Sequence, residues 1–302
     1  MPNIEDKFSG FKSGFVAIVG APNVGKSTLL NQILGEKISI TSKKPQTTRN
    51  RILGVVHRPR SQLVFIDTPG IHKAKRPLNI RIVETALSAL GNVDIVLVMI
   101  DVANPDPESE DFLVEKLRKI KQPVVLVLNK TDLVKKPLLL TLIDKWSKAH
   151  SFEAIIPVSA ILGTQIEELI ESMEALLPQG PPFFPEDTLT DLPERFFVAE
   201  MIREKVFRLT GQEIPYSTAV TIDSFSEEKK GALVKIHATI HVERTSQKGM
   251  IIGKNGSKLK MIGTEARKEI EQMVGTKVFL KIFVRVHKNW GKDTKALRKF
   301  GY

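Results

Sequence analysis

Cysteine is absent from the 302-residue chain, which excludes disulfides, thiol catalysis and zinc held by cysteine thiolates. A reducing compartment is compatible with that absence without being required by it. Long apolar runs are missing too: the longest, residues 95–100 and 124–128, fall far short of the roughly 18 needed to cross a bilayer. The N-terminus has no apolar signal core, so a cytoplasmic location is expected. Neither low-complexity tracts nor internal repeats occur. What is present is ordinary for a globular protein. Hydrophobic residues at 42% and charged residues at 26% exclude wholesale disorder, and the length favours two domains over one core.

Acidic residues are the minority charge, 34 against 45 Lys and Arg, for a net charge of +11. From Arg244 onward there are 15 basic and 4 acidic side chains, so this segment alone equals the surplus of the whole chain. A basic C-terminal fifth on a neutral body implies a binding face for a polyanion, nucleic acid first and an anionic membrane surface second.

The chain divides near residue 180. Residues 177–185 hold four prolines and a glycine, and proline fixes φ and lacks the donor N–H, so neither a helix nor a central strand runs through them. They read as the start of a stiff linker over 181–194, separating a first domain (1–180) from a second (195–302). Before it, near-continuous apolar runs at 15–20, 63–67, 95–101, 124–129 and 155–158 predict strands buried on both faces. Amphipathic segments such as 111–120 and 165–177 lie between them, so a mostly parallel sheet covered on both sides is expected. After the linker comes a helical pattern over 194–209, a strand near 217–225, and strictly alternating strands at 234–242 and 278–286. Leu259, Ile262, Ala266, Ile270 and Met273 fall at helical spacing between those last two strands. Helix, strand, strand, helices, strand describes a small α+β domain.

Gly20-Ala21-Pro22-Asn23-Val24-Gly25-Lys26-Ser27 fits G-x-x-x-x-G-K-[ST] between a predicted strand and a helix that Thr28 continues. Its glycines let backbone N–H groups curl around a phosphate, and the helix N-terminus adds partial positive charge. Lys26 would reach the β- and γ-phosphates, and the Ser27 hydroxyl would ligate Mg²⁺. Asp67-Thr68-Pro69-Gly70 ends the next strand: the acid can hold the metal's hydration shell through water, and the Gly70 N–H can approach the γ-phosphate. Asn129-Lys130-Thr131-Asp132 follows another strand. A carboxylate accepts two hydrogen bonds from the N1–H and N2–H₂ edge of guanine, a pair adenine lacks, so Asp132 is the candidate base selector, with Asn129 and Lys130 shaping the pocket. Ser159 and Ala160, after the next strand, can offer backbone N–H groups to guanine O6.

These motifs, with Gln46-Thr47-Thr48-Arg49-Asn50, resemble the G domain of the translation-factor-related GTPases. The resemblance implies that the 46–50 segment is switch I, with Thr48 favoured over Thr47 as the residue that binds Mg²⁺ and senses the γ-phosphate. Ile71 stands where a Ras-like pattern has a glutamine to orient water, so slow intrinsic hydrolysis is expected. Asn23 matches an asparagine that in relatives helps bind an activating K⁺.

In the second domain, Ile252-Gly253-Lys254-Asn255-Gly256-Ser257 contains G-x-x-G, flanked by Lys248, Lys258 and Lys260. In KH domains such a loop clamps the backbone of four single-stranded nucleotides beside an apolar groove for the bases. The element order resembles the type II KH arrangement. Phe279 and Phe283 share a strand face with Lys277, Lys281 and Arg285 and could stack on bases, though packing beneath a helix is the favoured reading. Trp290 is equally ambiguous, and His57, His72 and His287 read as surface residues rather than metal ligands.

A P-loop G domain joined to a type II KH domain resembles the Era-like GTPases over essentially the whole chain. That resemblance implies a monomer that binds GTP and GDP and hydrolyses GTP. It further implies binding of the 3′ end of single-stranded 16S rRNA, a role in 30S subunit assembly and peripheral contact with the cytoplasmic membrane. The rival readings are a constitutive RNA-binding protein with a vestigial nucleotide site and a membrane-surface GTPase.

Overall fold

The computed structural model describes residues 8–40, 51–70, 90–210, 218–228 and 232–290, together with 293, 296, 297 and 300. Two compact units divide between Asp191 and Leu192.

In the first unit β1 (Lys12–Gly20) leads into α1 (Lys26–Leu34), followed by β2 (Ile52–Arg58) and β3 (Ser61–Asp67). Then come β4 (Ile95–Asp101), α2 (Pro107–Leu117), β5 (Val124–Asn129), α3 (Lys136–Ala149), β6 (Ala154–Val158) and α4 (Ile166–Leu176). The strand order is β2-β3-β1-β4-β5-β6, and only the β2–β3 pair is antiparallel. Every residue of β3, β4 and β5 is buried, which is why these strands read as unbroken apolar runs. Each fully buried Val, Leu or Ile contributes about 1.5–3 kcal/mol of transfer free energy. β2 is not among the strands legible in the sequence, because Gly54 interrupts it and His57 and Arg58 close it. That glycine is a packing requirement: a Cβ there would stand 2.7 Å from the Leu34 Cδ1. The strand order reverses at β1, which has β3 on one side and β4 on the other, and this opens a crevice at the carboxyl ends of the strands.

The proline-rich segment is not a free linker along its whole length. Ser13 donates its N–H to the Pro178 carbonyl (3.1 Å) and its hydroxyl to the Pro181 carbonyl (2.7 Å), while the Gly180 N–H reaches the Phe11 carbonyl at 3.0 Å. Gln62, buried in β3, accepts from the N–H groups of Phe183 and Phe184 and donates to the Phe184 carbonyl. Farther on, the Val55 N–H donates to the Leu189 carbonyl, and His57 Nε2 lies 2.8 Å from the Thr188 carbonyl oxygen. His57 is therefore a half-buried partner of this strap rather than a surface residue. Proline lacks a donor, but its carbonyl still accepts, so extended Pro-rich chain can be tied to a sheet edge.

The second unit contains α5 (Glu194–Leu209), β7 (Ala219–Glu227), β8 (Leu233–Val242), α6 (Thr245–Ile252), α7 (Ser257–Val274) and β9 (Lys277–Val286). Its sheet has the order β7-β8-β9, with β7–β8 antiparallel and β8–β9 parallel. Ile236, Ala238, Ile240 and Val242 of β8 pack with Ile262, Ala266 and Ile270 of α7, Ile251 of α6 and Val198, Ile202 and Val206 of α5. All three helices thus cover one face of the sheet. α5 is more than amphipathic: Arg203, Glu204 and Lys205 are also buried, paired with Glu200, Arg208 and Glu269 respectively.

Three aromatics left ambiguous by the sequence fall differently. Trp290 is buried, its ring 5.3 Å from that of Phe300, which also lies 4.4 Å from His241. Phe279 and Phe283, expected beneath a helix, are instead 51% and 41% exposed, because they alternate away from the residues of β9 that pack with α5, α6 and α7. His287 is half-buried against Phe300 rather than on the surface, and His72 lies outside the described residues. Among the described residues no helix is long and apolar enough to cross a membrane.

Candidate functional site

Three loops converge at the carboxyl ends of β1, β3 and β5. The first, from Gly20 to Ser27, turns through a left-handed Asn23 (φ 65°) and Gly25 (φ 105°) before α1 begins. A Cβ on Gly25 would fall 2.3 Å from Asn129 Nδ2, so only glycine lets the phosphate loop lie against the β5 end. No side chain caps α1, which leaves its positive end for an anion. Ala21 and Val24 are buried and anchor the loop, while Pro22 and Thr28 are half-buried. Lys26 is buried, and its Nζ donates to the carbonyls of Gly20 (3.1 Å) and Ala21 (3.0 Å). Burial lowers its pKa from 10.5 to about 8, against the raising influence of the nearby Asp67 carboxylate.

Asp67 closes β3 fully buried. Its Oδ2 accepts from the Ser27 hydroxyl at 2.7 Å and from the Ser39 hydroxyl at 2.9 Å. Ser39 is a contributor that sequence reading missed; no motif marks it, and it is placed by Asn31, whose side-chain oxygen accepts from the N–H groups of Ile38 and Ser39. Thr68 donates its hydroxyl to the Ile18 carbonyl, and the Gly70 backbone sits against the phosphate loop, where a Cβ would meet Pro22 Cα at 2.8 Å. Pro69 between them is buried.

Asn129 ties the loops together. Its Nδ2 donates to the Val24 carbonyl (2.7 Å), and its Oδ1 accepts from the Ala160 N–H (3.0 Å). Lys130 is left-handed (φ 68°) and pairs its ammonium with Asp101 at the end of β4. Asp101, also missed from sequence, accepts in addition from the N–H groups of Ala103 and Asn104. Thr131 and Asp132 lie in the single 3₁₀ turn that follows, and Asp132 Oδ1 accepts from the Ser159 hydroxyl at 2.6 Å. The N–H groups expected to face a purine oxygen are engaged within the protein, Ser159 to the Thr164 carbonyl and Ala160 to Asn129. Gln46, Thr47, Thr48, Arg49, Asn50 and Ile71 lie outside the described residues.

In the second unit, α6 ends after Ile252 at Gly253 (φ 72°), and the turn continues through Lys254, Asn255 (φ 50°) and Gly256 (φ 76°) before Ser257 opens α7. At Gly253 a Cβ would lie 2.8 Å from that of Lys258, so the turn demands glycine on steric as well as backbone grounds. No side chain caps α7, and Lys254, Asn255, Ser257 and Lys260 are exposed around its start. Beside the turn runs a groove of about 410 Å³ between α7 and β9, floored by Leu259, Leu280 and Ile282 and edged by Lys260, Arg267 and Lys281. An anion-seeking turn next to an apolar trough with cationic rims suits a sugar-phosphate chain carrying unpaired bases.

A family model described as 50S ribosome-binding GTPase matches residues 15–130, and a KH-domain model matches residues 213–291. The GTPase Era of Geotalea uraniireducens (strain Rf4) is 55% identical over 292 residues, spanning 97% of this chain and 98% of that protein. The GTPase Era of Geobacter sp. (strain M21) is 56% identical over 293 residues, with the same coverage. Among solved structures, a point variant of Aquifex aeolicus Era bound to GDP·AlF₄⁻ superposes with a TM-score of 0.92 at 41% identity, covering 97% of this chain and 99% of that one. Era in complex with MgGDPNP and nucleotides 1506–1542 of 16S ribosomal RNA gives 0.93 at 42% identity with the same coverage.

Proposed function

The chain belongs to the GTPase Era family, and we propose that it acts as a GTP-dependent switch on ribosomal RNA, with residues 1–180 holding the nucleotide and 195–302 the RNA. It is a GTPase, converting GTP and water to GDP and phosphate. One observation carries the assignment of the site: Asn129 joins the phosphate loop at Val24 to the base-side loop at Ala160, so one side chain sets the spacing between a phosphate tail and a purine.

In this reading the phosphates lie along the N–H groups from Gly20 to Thr28, and the Lys26 ammonium leaves the carbonyls of Gly20 and Ala21 for the β- and γ-phosphate oxygens. The Gly70 N–H meets the γ-phosphate. Asp132, oriented by Ser159, accepts from the guanine N1–H and N2–H₂, and the Ala160 N–H is shared between Asn129 and O6. Ser27, Thr48 and, through water, Asp67 would hold Mg²⁺, which neutralises charge on the phosphates. The donor set fits: hydroxyl and carboxylate oxygens are the hard ligands this ion takes, with water and phosphate filling the rest. With Ile71 following Gly70, no glutamine orients the attacking water. Activation by K⁺ near Asn23 completes the reading, and equal single-turnover rates in KCl and NaCl would remove that element.

The decisive test of the base pocket is Asp132→Asn, which should lose GTP preference and gain xanthosine triphosphate binding. Unchanged GTP preference would defeat the assignment. For the RNA half, the relative solved with 16S rRNA nucleotides and the groove beside Gly253–Gly256 support single-stranded 16S rRNA as ligand, and with it a cytoplasmic role in 30S subunit assembly, acting as a monomer. RNA affinity should be higher with a non-hydrolysable GTP analogue than with GDP; equal affinities would defeat the switch. Peripheral membrane contact would show as sedimentation with anionic vesicles.

A further inference from the structure

The 410 Å³ groove occupies one side of β9, and the other side carries a separate surface. Along that strand Lys277, Phe279, Lys281, Phe283 and Arg285 alternate outward, and all five are exposed. Two half-exposed phenylalanines stand roughly 13 Å apart at four residues' spacing. Between them the Lys281 Nζ lies 5.1 Å from the Phe283 ring centroid. No ion pair involves Lys277, Lys281 or Arg285 among the described residues, whereas Lys235 on the neighbouring β8 is paired with Glu228. Asp223, which accepts from the Thr239 hydroxyl on this face, sits on β7 on the far side of β8. The unneutralised charge therefore follows the edge strand.

Edge strands commonly carry lysine to block pairing with another chain, and that accounts for the three cations. It does not account for rings left in water, because half-exposed phenylalanine invites the association that lysine prevents. Aromatic faces alternating with cations on a flat strand match the chemistry of single-stranded nucleic acid, whose bases stack while phosphates pair with the charges. A lipid surface would need a continuous apolar face to insert, and here each ring is flanked by charge.

We propose that the outward face of β9 is a second single-stranded RNA platform, on which Phe279 and Phe283 stack bases of the strand that leaves the groove. Lys281 belongs to both surfaces, as it edges the groove as well as the platform, so one continuous strand can pass from one to the other. The proposal rests on the RNA reading of the groove, and its test separates the two.

The full chain is titrated with labelled unstructured RNAs of 4 and 12 nucleotides, the shorter filling only the G-x-x-G clamp. Changing Phe279→Leu together with Phe283→Leu keeps the sites apolar but removes the stacking. It should weaken binding of the 12-mer by about 30-fold or more and leave the 4-mer unchanged. Phe279→Trp with Phe283→Trp should retain the 12-mer affinity, and thermal unfolding of both variants should match the wild type. Equal affinity of wild type and Leu variant for the 12-mer would overturn the platform, as would equal losses for both lengths. Loss of anionic phosphatidylglycerol vesicle binding with 12-mer affinity intact would overturn it in favour of a membrane surface. If the wild type binds neither RNA, the groove reading falls and the platform with it.

Discussion

Burial holds the Lys26 ammonium at a pKa of about 8, well below the 10.5 of a free lysine. Between those values the unfolded chain binds the extra proton, so the nucleotide-free protein gains stability as pH rises through the window. Below pH 8 the strain amounts to about 3 kcal/mol. The Lys26→Met variant lacks this titration, and the difference in unfolding free energy between wild type and variant should move in favour of wild type from pH 8 to 10.5. A flat difference would mean the ammonium is not desolvated. At the same scale, Asp101→Asn keeps an acceptor for the N–H groups of Ala103 and Asn104 but removes the charge facing Lys130. Guanine nucleotide affinity should fall by about 3- to 30-fold, in keeping with loss of a partly buried charged hydrogen bond, while thermal stability changes little. Fluorescent GDP titration reads this. Lys26, Asp67, Asn129 and Asp132 were legible in sequence because each sits at a fixed offset from a strand end. Ser39 and Asp101 were not, since a hydroxyl or carboxylate that orients another side chain carries no spacing of its own.

Among elements, the strap over residues 178–189 departs most from its sequence reading. Proline density correctly excludes helix and central strand there, yet whether such a segment hangs free depends on partners far away in the chain. Those partners are Ser13, Val55, His57 and Gln62. Gln62→Ala would leave the N–H groups of Phe183 and Phe184 without their acceptor and should cost about 2–4 kcal/mol in denaturant unfolding. A loss below about 0.5 kcal/mol would mean that water replaces the amide freely. β9 makes the complementary point. Its alternation showed which residues share a face, but the side that receives the helices depends on how α5, α6 and α7 fold back. With all three on the even-numbered face, Phe279 and Phe283 were left outside.

Over the whole molecule the charge is polarised, with a surplus matching the full +11 carried from Arg244 onward. Binding of single-stranded RNA should therefore weaken steeply with salt. Replacing Lys254, Lys258 and Lys260 together by alanine should reduce the slope of log affinity against log salt by about 2, since each phosphate contact on a single strand contributes about 0.7. An unchanged slope would place the phosphates elsewhere. By itself the sequence determined the two folds, the phosphate, base and G-x-x-G loops and the location of the positive charge. Those follow from short-range rules: apolar periodicity, glycine where backbone must turn or approach closely, and residue types at set offsets. The tertiary structure alone decided that Asn129 bridges two loops, that the proline-rich strap is bound to the first sheet, and that Phe279 and Phe283 of β9 stay exposed. Each of those depends on groups distant in the chain meeting in space, and no local pattern encodes such a meeting.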